Sequence, residues 1–387
     1  MRRQTRLRLR RGRSLMRVGV NLLWLVPGEV GGSQEYTVRL LDAVKAEHAD
    51  DVELVVYLNR RGAKEFGDRF GVTKVAPASG SSRLWRVLTE SVWLAWRTRK
   101  DKCQVVHHAG GTMPIIRTAD GIVTLHDLQP LEFPERFGFI KRNWIRFIAP
   151  RSLRKADAVV CLSSFTATDA TVRAGVDPER IVQVPCGVLP PLPDNELERR
   201  ETLGDYDIDD HPFVLFPAIT YPHKNHESLI AAFAGLRASH PDLLLVLTGG
   251  AGSSEESVLA AINAYGVGDY VRRTGRVSES ELNCLYRSAS VMAFPSLYEG
   301  FGLPVLEAMV RGCPVVASNA GALPIVAGEA AQFVDPLDVR GWVATIDKVL
   351  TDNELRNEMV QRGYERVTHF AWPDSARRLL DLYRTFA

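Results

Sequence analysis

The segment AFPSLYEGFGLPVLE, residues 293–307, joins an apolar run to a glycine-rich loop and then to a helical pattern. The run before Pro295 is short and apolar, as expected of a buried strand. Gly300 and Gly302 free the backbone for a tight turn, and Pro304 stands where a first helical turn accepts proline. A strand that passes through a loop into a helix is the repeating unit of a parallel sheet covered by helices. The segment therefore predicts an α/β fold.

The same alternation of apolar runs and helical patterns continues on both sides of this segment. One strand-like run starts at Met16, and others occupy residues 52–58, 105–107, 121–125, 158–162 and 181–184. After a break, the alternation starts again at residues 213–216, 243–248, 271–274, 291–294, 314–317 and 332–334. Strands that alternate with helices are typical of parallel sheets with helices on both faces. We therefore expect two doubly wound, Rossmann-like domains whose strand-end loops line a cleft.

Shifts in composition give the expected boundaries. Residues 1–15 carry seven arginines and no acid, which favours a disordered basic tail. We expect the first domain at 16–190, a linker rich in proline and acid at 191–211, and the second domain at 212–373. Residues 374–387 have a helical pattern and join whichever domain their apolar side chains reach, the first domain being one candidate; these side chains are Leu379, Leu380 and Leu382.

The composition excludes several classes of protein. Of the 387 residues, 45% are hydrophobic and 24% are charged, which is ordinary for globular domains and excludes disorder, collagen and disulfide-rich scaffolds. The five cysteines form no Cys-x-x-Cys pair, which favours a reducing compartment. No apolar run approaches the roughly 18 residues of a membrane span, so we expect a cytoplasmic protein.

Charge is divided unevenly along the chain. Residues 16–190 contain 24 Lys and Arg against 19 Asp and Glu, whereas residues 191–387 contain 17 against 27. The basic half also mixes aromatic and cationic residues, at 83–100 and 137–151. Such mixtures suit nucleic acid or an anionic membrane, and they also arise when tryptophans face the core and charges face water. We expect peripheral contact with the cytoplasmic face of a membrane and no nucleic acid partner.

Two acids flank the glycine loop of residues 293–307. Glu299 lies in the loop, and Glu307 falls in the expected first turn of the helix. A helix N-terminus offers unpaired N–H groups that suit a diphosphate, while a carboxylate nearby can accept hydrogen bonds from a ribose diol. Either acid alone could be a solvated residue or a complement to the helix dipole. Their occurrence together with both glycines and the proline favours a ligand site.

A lysine follows the first strand of the second domain. In FPAITYPHKNHE, residues 216–227, Lys224 stands just before a helix that Asn225 is expected to cap. An ammonium group at this place would stabilise charge on a leaving diphosphate. Because a lysine in a loop is usually just solvated, this interpretation depends on the two acids.

Together these segments resemble the signature of the retaining GT-B glycosyltransferases of family 4. The resemblance implies two Rossmann-like domains, with Glu299 on the donor sugar, Glu307 on the nucleotide ribose and Lys224 on the diphosphate. It also implies donor contacts from the backbone of Gly300, Phe301, Gly302 and Leu303. Many relatives carry an arginine where this chain has Ile219, so the diphosphate must rely on Lys224, backbone N–H groups or Arg276.

In the first domain, VTLHDL, residues 123–128, ends a strand with His126 and Asp127. Similar loops in the family face the donor sugar and the acceptor. We interpret His126 as catalytic with Lys224 and Glu299, a neutral imidazole that orients a hydroxyl, the alternative being a structural histidine. We place Asp127 on the acceptor side.

Two further pairs are candidates. His107 and His108 end another strand, and only one of them can point along the cleft toward the acceptor. Gly31 and Gly32 match the glycine loop that the family places near the donor phosphate, although glycine pairs also mark ordinary turns.

The absence of three sequence motifs argues against other enzyme classes. The chain lacks Gly-x-Gly-x-x-Gly after a strand, Gly-x-x-x-x-Gly-Lys and Gly-x-Ser-x-Gly, so nicotinamide enzymes, P-loop NTPases and α/β-hydrolases lose their usual support. The Asp-x-Asp at Asp205 lies in the linker and favours a solvated turn. We expect no metal and no cofactor, since the nucleotide diphosphate sugar is a substrate.

The resemblance thus implies a retaining, metal-independent hexosyltransferase. We expect transfer of mannose, from GDP-mannose, to a glycan or lipid-linked acceptor in the synthesis of surface polysaccharide or glycolipid. Two alternatives stay open: a GT-B nucleotide-sugar epimerase, and a non-catalytic protein that binds nucleotide sugars or membranes.

Overall fold

The computed structural model describes residues 15–27, 31–77, 83–129, 139–209 and 211–387. Of the predicted basic tail, only Leu15 falls in these ranges. Part of the aromatic and basic stretch at 137–151 lies outside them, and the side chains of residues 139–146 are not described.

Seven parallel strands form the first sheet, in the spatial order β3-β2-β1-β4-β5-β6-β7. They are β1 (Met16–Leu22), β2 (Val52–Leu58), β3 (Val72–Val75), β4 (Val105–His108), β5 (Asp120–Leu125), β6 (Ala158–Cys161) and β7 (Ile181–Gln183). The described helices between them are α1 (Gly32–Ala46), α2 (Arg60–Phe66), α3 (Arg83–Leu88), α4 (Ala95–Lys100), α5 (Phe139–Lys155) and α6 (Ser164–Ala174), and the π-helix Thr89–Leu94 joins α3 to α4.

Both faces of this sheet are covered. Successive residues of a strand point to opposite faces, and on β2 Val56 belongs to the same buried cluster as Leu40 of α1, whereas Tyr57 belongs to a separate cluster with Leu94. A strand that is buried on both faces needs a continuous apolar run, and Val55 to Leu58 provide one.

Six parallel strands form the second sheet, in the order β10-β9-β8-β11-β12-β13. They are β8 (Phe213–Pro217), β9 (Leu244–Thr248), β10 (Val271–Gly275), β11 (Val291–Phe294), β12 (Val315–Ser318) and β13 (Ala331–Val334). The helices are α7 (Glu196–Asp205), α8 (His226–Leu236), α9 (Glu255–Ala264), α10 (Glu279–Ser288), α11 (Leu303–Met309), α12 (Leu323–Ala327), α13 (Val339–Thr351), α14 (Asn353–Val367) and α15 (Trp372–Arg384). The predicted fold class, two doubly wound parallel sheets, is confirmed.

One strand, β3, is not among those that the sequence predicts. Its residues Val72–Val75 lie at the edge of the sheet, and none of them is buried. An edge strand that is neither buried nor regularly alternating gives no periodic signal.

The last helix, α15, returns to the first sheet. It lies against α1, and its Leu379 is buried in the same cluster as Leu40. The hydroxyl of Ser375 donates a hydrogen bond to the carbonyl oxygen of Pro185 at 2.8 Å. The chain therefore crosses between the domains twice, and the crossings touch, because the Val188 N–H donates to the Phe370 carbonyl oxygen at 2.9 Å.

Among the helices of the described ranges, none combines the length and the apolar character that a bilayer crossing requires.

Candidate active site

Loops at the carboxyl ends of the two sheets meet between the domains. The loop after β5 lies against the loop after β11, so closely that a Cβ atom at Gly300 would collide with the carbonyl oxygen of His126. Ser163, which follows β6, donates a hydrogen bond to the Gly300 carbonyl oxygen at 2.8 Å. Glycine is therefore required at residue 300 for the two loops to approach each other.

Lys224 and Glu299 form an ion pair in this region. Lys224 Nζ lies 2.6 Å from Glu299 Oε1, and the two side chains are 17% and 13% exposed. The same ammonium lies 5.1 Å from the centre of the Phe294 ring, within the range of a cation–π contact. Removing one member of a largely buried pair leaves the other charge without compensation. The structure thus brings together two predicted residues that are 75 positions apart.

Asn225 fixes the loop that carries Lys224. Asn225 adopts a left-handed conformation with φ of 58°, and its Nδ2 donates to the carbonyl oxygens of Pro295 at 3.1 Å and Pro336 at 2.7 Å. Asn225 stands at the predicted N-cap position of α8, but its side chain makes no capping hydrogen bond to the helix backbone, and its amide bridges two loops instead. The Leu297 N–H also donates to the His223 carbonyl oxygen at 2.7 Å. The two loops that bear the ion pair are therefore bonded directly to each other.

The Glu299 loop is also held from the first domain. Tyr298 donates a hydrogen bond from its hydroxyl to Asp169 Oδ2 at 2.7 Å, and the Leu128 N–H donates to the Tyr298 hydroxyl at 3.2 Å. The Phe165 ring meets the Tyr298 ring edge-on at 5.5 Å. Residues on both sides of Glu299 therefore contact the opposite domain.

The backbone of Glu299 also contacts Gly321 and Ala322. Gly321 has φ of 61°, a left-handed conformation, and lies against the backbone of Glu299. The next residue, Ala322, donates its N–H to the Glu299 carbonyl oxygen at 2.9 Å. A side chain at residue 321 would be strained in conformation and would collide with Glu299.

Glu307 lies in the second turn of α11, not in the first as predicted, because the helix begins at Leu303. The Tyr286 hydroxyl donates to Glu307 Oε2 at 3.3 Å. Burial, and after it the nearby carboxylate of Glu35, raises the pKa of Glu307 to about 7, while Arg311 opposes both effects. A carboxyl group that has a pKa of about 7 and lies beside the cleft suits hydrogen bonds with a diol.

Charged residues of both domains surround Glu307. Glu307, Arg39 of α1, and Glu279 and Arg311 of the second domain line one small cavity. Arg39 Nη2 lies 3.9 Å from Glu279 Oε1 across the domain boundary, and Arg39 Nε bonds Glu35 Oε1 at 2.8 Å. The start of α1 therefore faces Glu307.

His126 is neutral at physiological pH. Burial lowers its pKa to about 4, although a hydrogen bond of its Nε2 to the Ala109 carbonyl oxygen, at 2.8 Å, opposes this effect. Because a carbonyl oxygen only accepts, Nε2 carries the hydrogen and Nδ1 is an acceptor. Among the described residues Nδ1 has no hydrogen-bond partner. The neighbouring Asp127 has an exposed side chain, and its Oδ1 accepts from the Gln129 N–H at 3.1 Å.

His107 and His108 do not face the cleft, which corrects the prediction that one of them contacts the acceptor. Both are 2% exposed. His107 Nδ1 bonds the Tyr383 hydroxyl at 2.7 Å and its Nε2 bonds Thr124 Oγ1 at 2.6 Å, so both ring nitrogens are used inside the core. His108 Nδ1 lies 3.2 Å from Asn21 Nδ2. Strand β4 continues to His108 and is buried throughout, which explains the error.

The remaining candidates lie at loop and helix starts. Gly31 precedes α1 and Gly32 begins it, and both are exposed, while residues 28–30 lie outside the described ranges. Gly302 has φ of 89° and precedes Leu303 at the start of α11. Phe301 packs edge-on against Phe370 at 5.7 Å, so its side chain belongs to the core and only its backbone can meet a donor.

Arg276 is the second cation that the sequence offered for the diphosphate. Its exposed guanidinium packs over Gly250, in the loop after β9. That loop and the Lys224 loop follow neighbouring strands, so Arg276 and Lys224 lie along the same edge of the second sheet.

Sequence reasoning missed Tyr298, Asp169 and Ser163. Tyr298 stands beside Glu299 in the quoted segment, where an aromatic residue in a glycine loop is a usable signal. Asp169 and Ser163 carry no such signal, because their partners lie 129 and 137 positions away.

Two family models match the chain on either side of the linker. The model described as Glycosyltransferase Family 4 matches residues 30–190, and the model described as Glycosyl transferases group 1 matches residues 198–366. Together they cover the second sheet, the strands of the first sheet other than β1, and the loops described above.

Individual relatives agree with these models. The O-antigen chain mannosyltransferase B of Escherichia coli is 28% identical over 295 residues, which are 75% of this chain and 76% of that protein. The MMP alpha-(1->4)-mannosyltransferase of Mycolicibacterium hassiacum is 32% identical over 249 residues, which are 62% of this chain and 58% of that protein.

A solved structure shows the same architecture. Sucrose-phosphate synthase from Thermosynechococcus elongatus matches with a TM-score of 0.77 and 22% identity, over 96% of this chain and 98% of that chain. Its fold is that of two facing parallel sheets, and the strand-end loops described here occupy the cleft between them. The predicted family, fold and enzyme class are thereby confirmed: the chain belongs to glycosyltransferase family 4, has the GT-B fold and is a glycosyltransferase.

Proposed function

We propose that this glycosyltransferase moves mannose from GDP-mannose to a glycan or lipid-linked acceptor, in the synthesis of surface polysaccharide or glycolipid. The transfer retains the anomeric configuration and uses no metal ion. The observation that carries the proposal is the ion pair of Lys224 with Glu299 at 2.6 Å, on two strand-end loops that face the first domain. Both relatives described above are mannosyltransferases, which supports mannose, and one of them acts on O-antigen chains, which supports a polysaccharide.

We propose one orientation of the donor in this site. Lys224 holds the diphosphate, Glu307 accepts hydrogen bonds from the ribose diol, and Glu299 accepts hydrogen bonds from sugar hydroxyls. Nδ1 of His126 is an acceptor because Ala109 fixes the hydrogen on Nε2, and since Nδ1 is buried and without a partner among the described residues, we propose that donor binding opens it to a sugar hydroxyl. Since its imidazole is neutral, His126 orients the sugar without adding charge.

The chemical step follows from these positions. The bond between the anomeric carbon and the diphosphate oxygen breaks, and the acceptor oxygen bonds to the same face of that carbon. The departing diphosphate takes the acceptor proton, while Lys224 stabilises the charge that grows on it. Glu299 is paired with Lys224 and holds the sugar rather than attacking it.

The test begins with a panel of GDP, UDP, ADP and TDP in thermal unfolding, since selective binding raises the apparent stability. We expect GDP to give the largest shift. GDP-mannose with glycan and lipid-linked acceptors should then give a product whose anomeric configuration, read by NMR, matches the donor, and EDTA should leave the rate unchanged. An inverted product, or conversion of the donor to an epimer without acceptor, would contradict the proposal.

A further inference from the structure

One helical segment of the first domain has two unlike faces. Residues 83–100 run through α3, the π-helix Thr89–Leu94 and α4. Toward the sheet they bury Thr89, Leu94 and Thr98, and Trp93 meets the Tyr57 ring at 6.0 Å. Toward the outside they expose large apolar side chains along one line: Trp85 (66%), Leu88 (49%), Val92 (64%) and Trp96 (55%).

The π-helix keeps these side chains in line. Leu88, Val92 and Trp96 are four residues apart, and four residues exceed one turn of an α-helix but fall short of one turn of a π-helix. The two deviations have opposite signs, so a segment that mixes both helix types stacks every fourth residue on one face. A row of exposed tryptophans and aliphatic residues is uncommon on a protein that is surrounded only by water.

Neighbouring elements of the first domain also expose apolar side chains. Thr118 Oγ1 donates to the Ala95 carbonyl oxygen at 2.9 Å, which places the loop before β5 against α4. Ser152 Oγ of α5 donates to the Met113 carbonyl oxygen of the same loop at 3.3 Å. The three elements together expose a set that we name the outer apolar face: Trp85, Leu88, Val92, Trp96, Ile115, Ile116 and Phe147.

Basic side chains border this face. Lys100 places Nζ 5.3 Å from the centre of the Trp96 ring, and Arg99 beside it is exposed. Arg151 and Lys155 of α5 are exposed and, with Ile115, line one cavity. Arg97 forms an ion pair with Asp101 at 2.9 Å, whereas Arg99 and Lys100 have exposed side chains. The exposed basic side chains that border the outer apolar face are therefore Arg99, Lys100, Arg151 and Lys155.

We propose that the outer apolar face docks on an anionic lipid bilayer, with the tryptophans at the level of the headgroups and the basic side chains on lipid phosphates. Amphipathic helices that lie in the bilayer surface combine tryptophan and leucine on one side with Lys and Arg beside them. The aliphatic residues have no role in contacts with nucleic acid phosphates. A two-fold contact with a second copy would bring the basic borders of both copies together, which disfavours a dimer.

The position of the face suits a lipid-linked acceptor. The chain leaves β3 at the carboxyl edge of the sheet and enters the parallel strand β4 at the opposite edge, so the segment starts at the edge where the cleft lies. The inference rests on the proposed function in that it names the surface from which the acceptor reaches the cleft.

The test is co-sedimentation of the full chain with vesicles, without donor or acceptor. We compare vesicles of phosphatidylcholine alone with vesicles that also contain phosphatidylglycerol. Wild type should bind the anionic vesicles, and Trp85→Ala/Trp96→Ala should bind them about tenfold more weakly, because two interfacial anchors are lost. The matched control Tyr265→Ala/Leu337→Ala removes exposed apolar side chains from the second domain and should bind like wild type.

Donor binding separates this inference from the proposed function. Thermal stabilisation by GDP should be equal in wild type and in Trp85→Ala/Trp96→Ala, which also shows that the variant is folded. If the variant binds anionic vesicles as tightly as wild type, or if wild type does not bind them, the docking inference is overturned while the donor site stands. A wild-type dimer that Trp85→Ala/Trp96→Ala dissociates, without vesicle binding, would assign the face to a second copy and would also overturn it.

Discussion

Lys224 has a carboxylate partner within the protein itself, because its Nζ lies 2.6 Å from Glu299 Oε1. A diphosphate that binds Lys224 must therefore share this cation with Glu299. Because Ile219 stands where many relatives carry a second cation, the donor diphosphate and Glu299 compete for Lys224 in this chain. This competition means that substitutions of Lys224 and of Glu299 should have different effects on donor binding.

We expect Lys224→Ala to weaken the binding of free GDP by about tenfold, a loss of about 1.4 kcal/mol, because a charge-assisted contact is lost. Glu299→Gln should instead tighten GDP binding, since it releases Lys224. Both variants should lower turnover by about 100-fold or more, because each loses contacts with the reacting sugar or its leaving group. Titration calorimetry and initial rates measure the two effects.

Lys348→Ala is the matched control, since it removes an exposed lysine of the same domain. It should leave both the affinity and the rate unchanged. If Lys224→Ala and Glu299→Gln change GDP affinity in the same direction, the two anions do not compete for Lys224.

Glu307 gives the stability of the protein a pH dependence. Burial raises its pKa from an ordinary value of 4.5 to about 7, so the folded state binds this proton more tightly than the unfolded state does. The stabilisation from the protonated form is complete below pH 4.5 and is lost as the pH rises to about 7. Glu307→Gln removes this titration. The free energy of unfolding of wild type minus that of Glu307→Gln should therefore fall between these pH values and be constant above them; urea unfolding with no such fall would show that Glu307 titrates normally.

Among the elements, the loop between β11 and α11 depends on the opposite domain for its conformation. Tyr298 and Gly300 flank Glu299, and both contact residues of the first domain. The position of Glu299 is therefore coupled to the closure of the cleft.

Tyr298→Phe keeps the ring but removes the hydroxyl that joins Asp169 to the Leu128 N–H. We expect a loss of about 1 to 3 kcal/mol in stability, because buried polar groups lose a partner, together with a lower kcat. Amide exchange in residues 297–302 should become faster. Tyr265→Phe, at an exposed tyrosine of the same domain, should change none of these quantities.

Gly300→Ala tests the close approach of the two loops directly. The added methyl group would collide with the His126 carbonyl oxygen, so the loops must separate and turnover should fall by about tenfold or more, as misplacement of reacting groups implies. Gly204→Ala is the control, because Gly204 lies in helix α7 with open space around it. That variant should gain about 0.5 to 1 kcal/mol of stability. Full activity of Gly300→Ala would show that the contact is dispensable.

Across the whole molecule, local sequence signals predict the sheets but not the contacts between them. Most of the parallel strands are buried apolar runs and can be found one by one, and the edge strands β7 and β10 are predicted because they continue the alternation with helices, whereas the edge strand β3 is not predicted. The resemblance to a family placed Lys224 and Glu299 in one donor site, on the diphosphate and on the sugar, but their ion pair was not predicted from the sequence. His107 shows the limit most clearly: its partner Tyr383 lies 276 positions away, and nothing near His107 distinguishes a core histidine from a cleft histidine.

The helix α15 makes the first domain dependent on the end of the sequence. Leu379→Ala should destabilise the protein by about 2 to 5 kcal/mol, because it opens a cavity against α1. Leu337→Ala, at a leucine that is 70% exposed, should change the stability by less than about 0.5 kcal/mol. Urea unfolding measures both. Equal stability of the two variants would show that α15 contributes little to the first domain.

This arrangement has a consequence for biosynthesis. Once residues 16–190 have left the ribosome, every strand of the first sheet is available, yet the helix that covers α1 and the hydroxyl that bonds His107 are absent until residues 372–384 emerge. Domains ordinarily fold in the order of synthesis, but here the earlier one stays incomplete until the later one has been translated. A nascent chain that stalls before α15 would expose the apolar surface of α1 to chaperones and proteases.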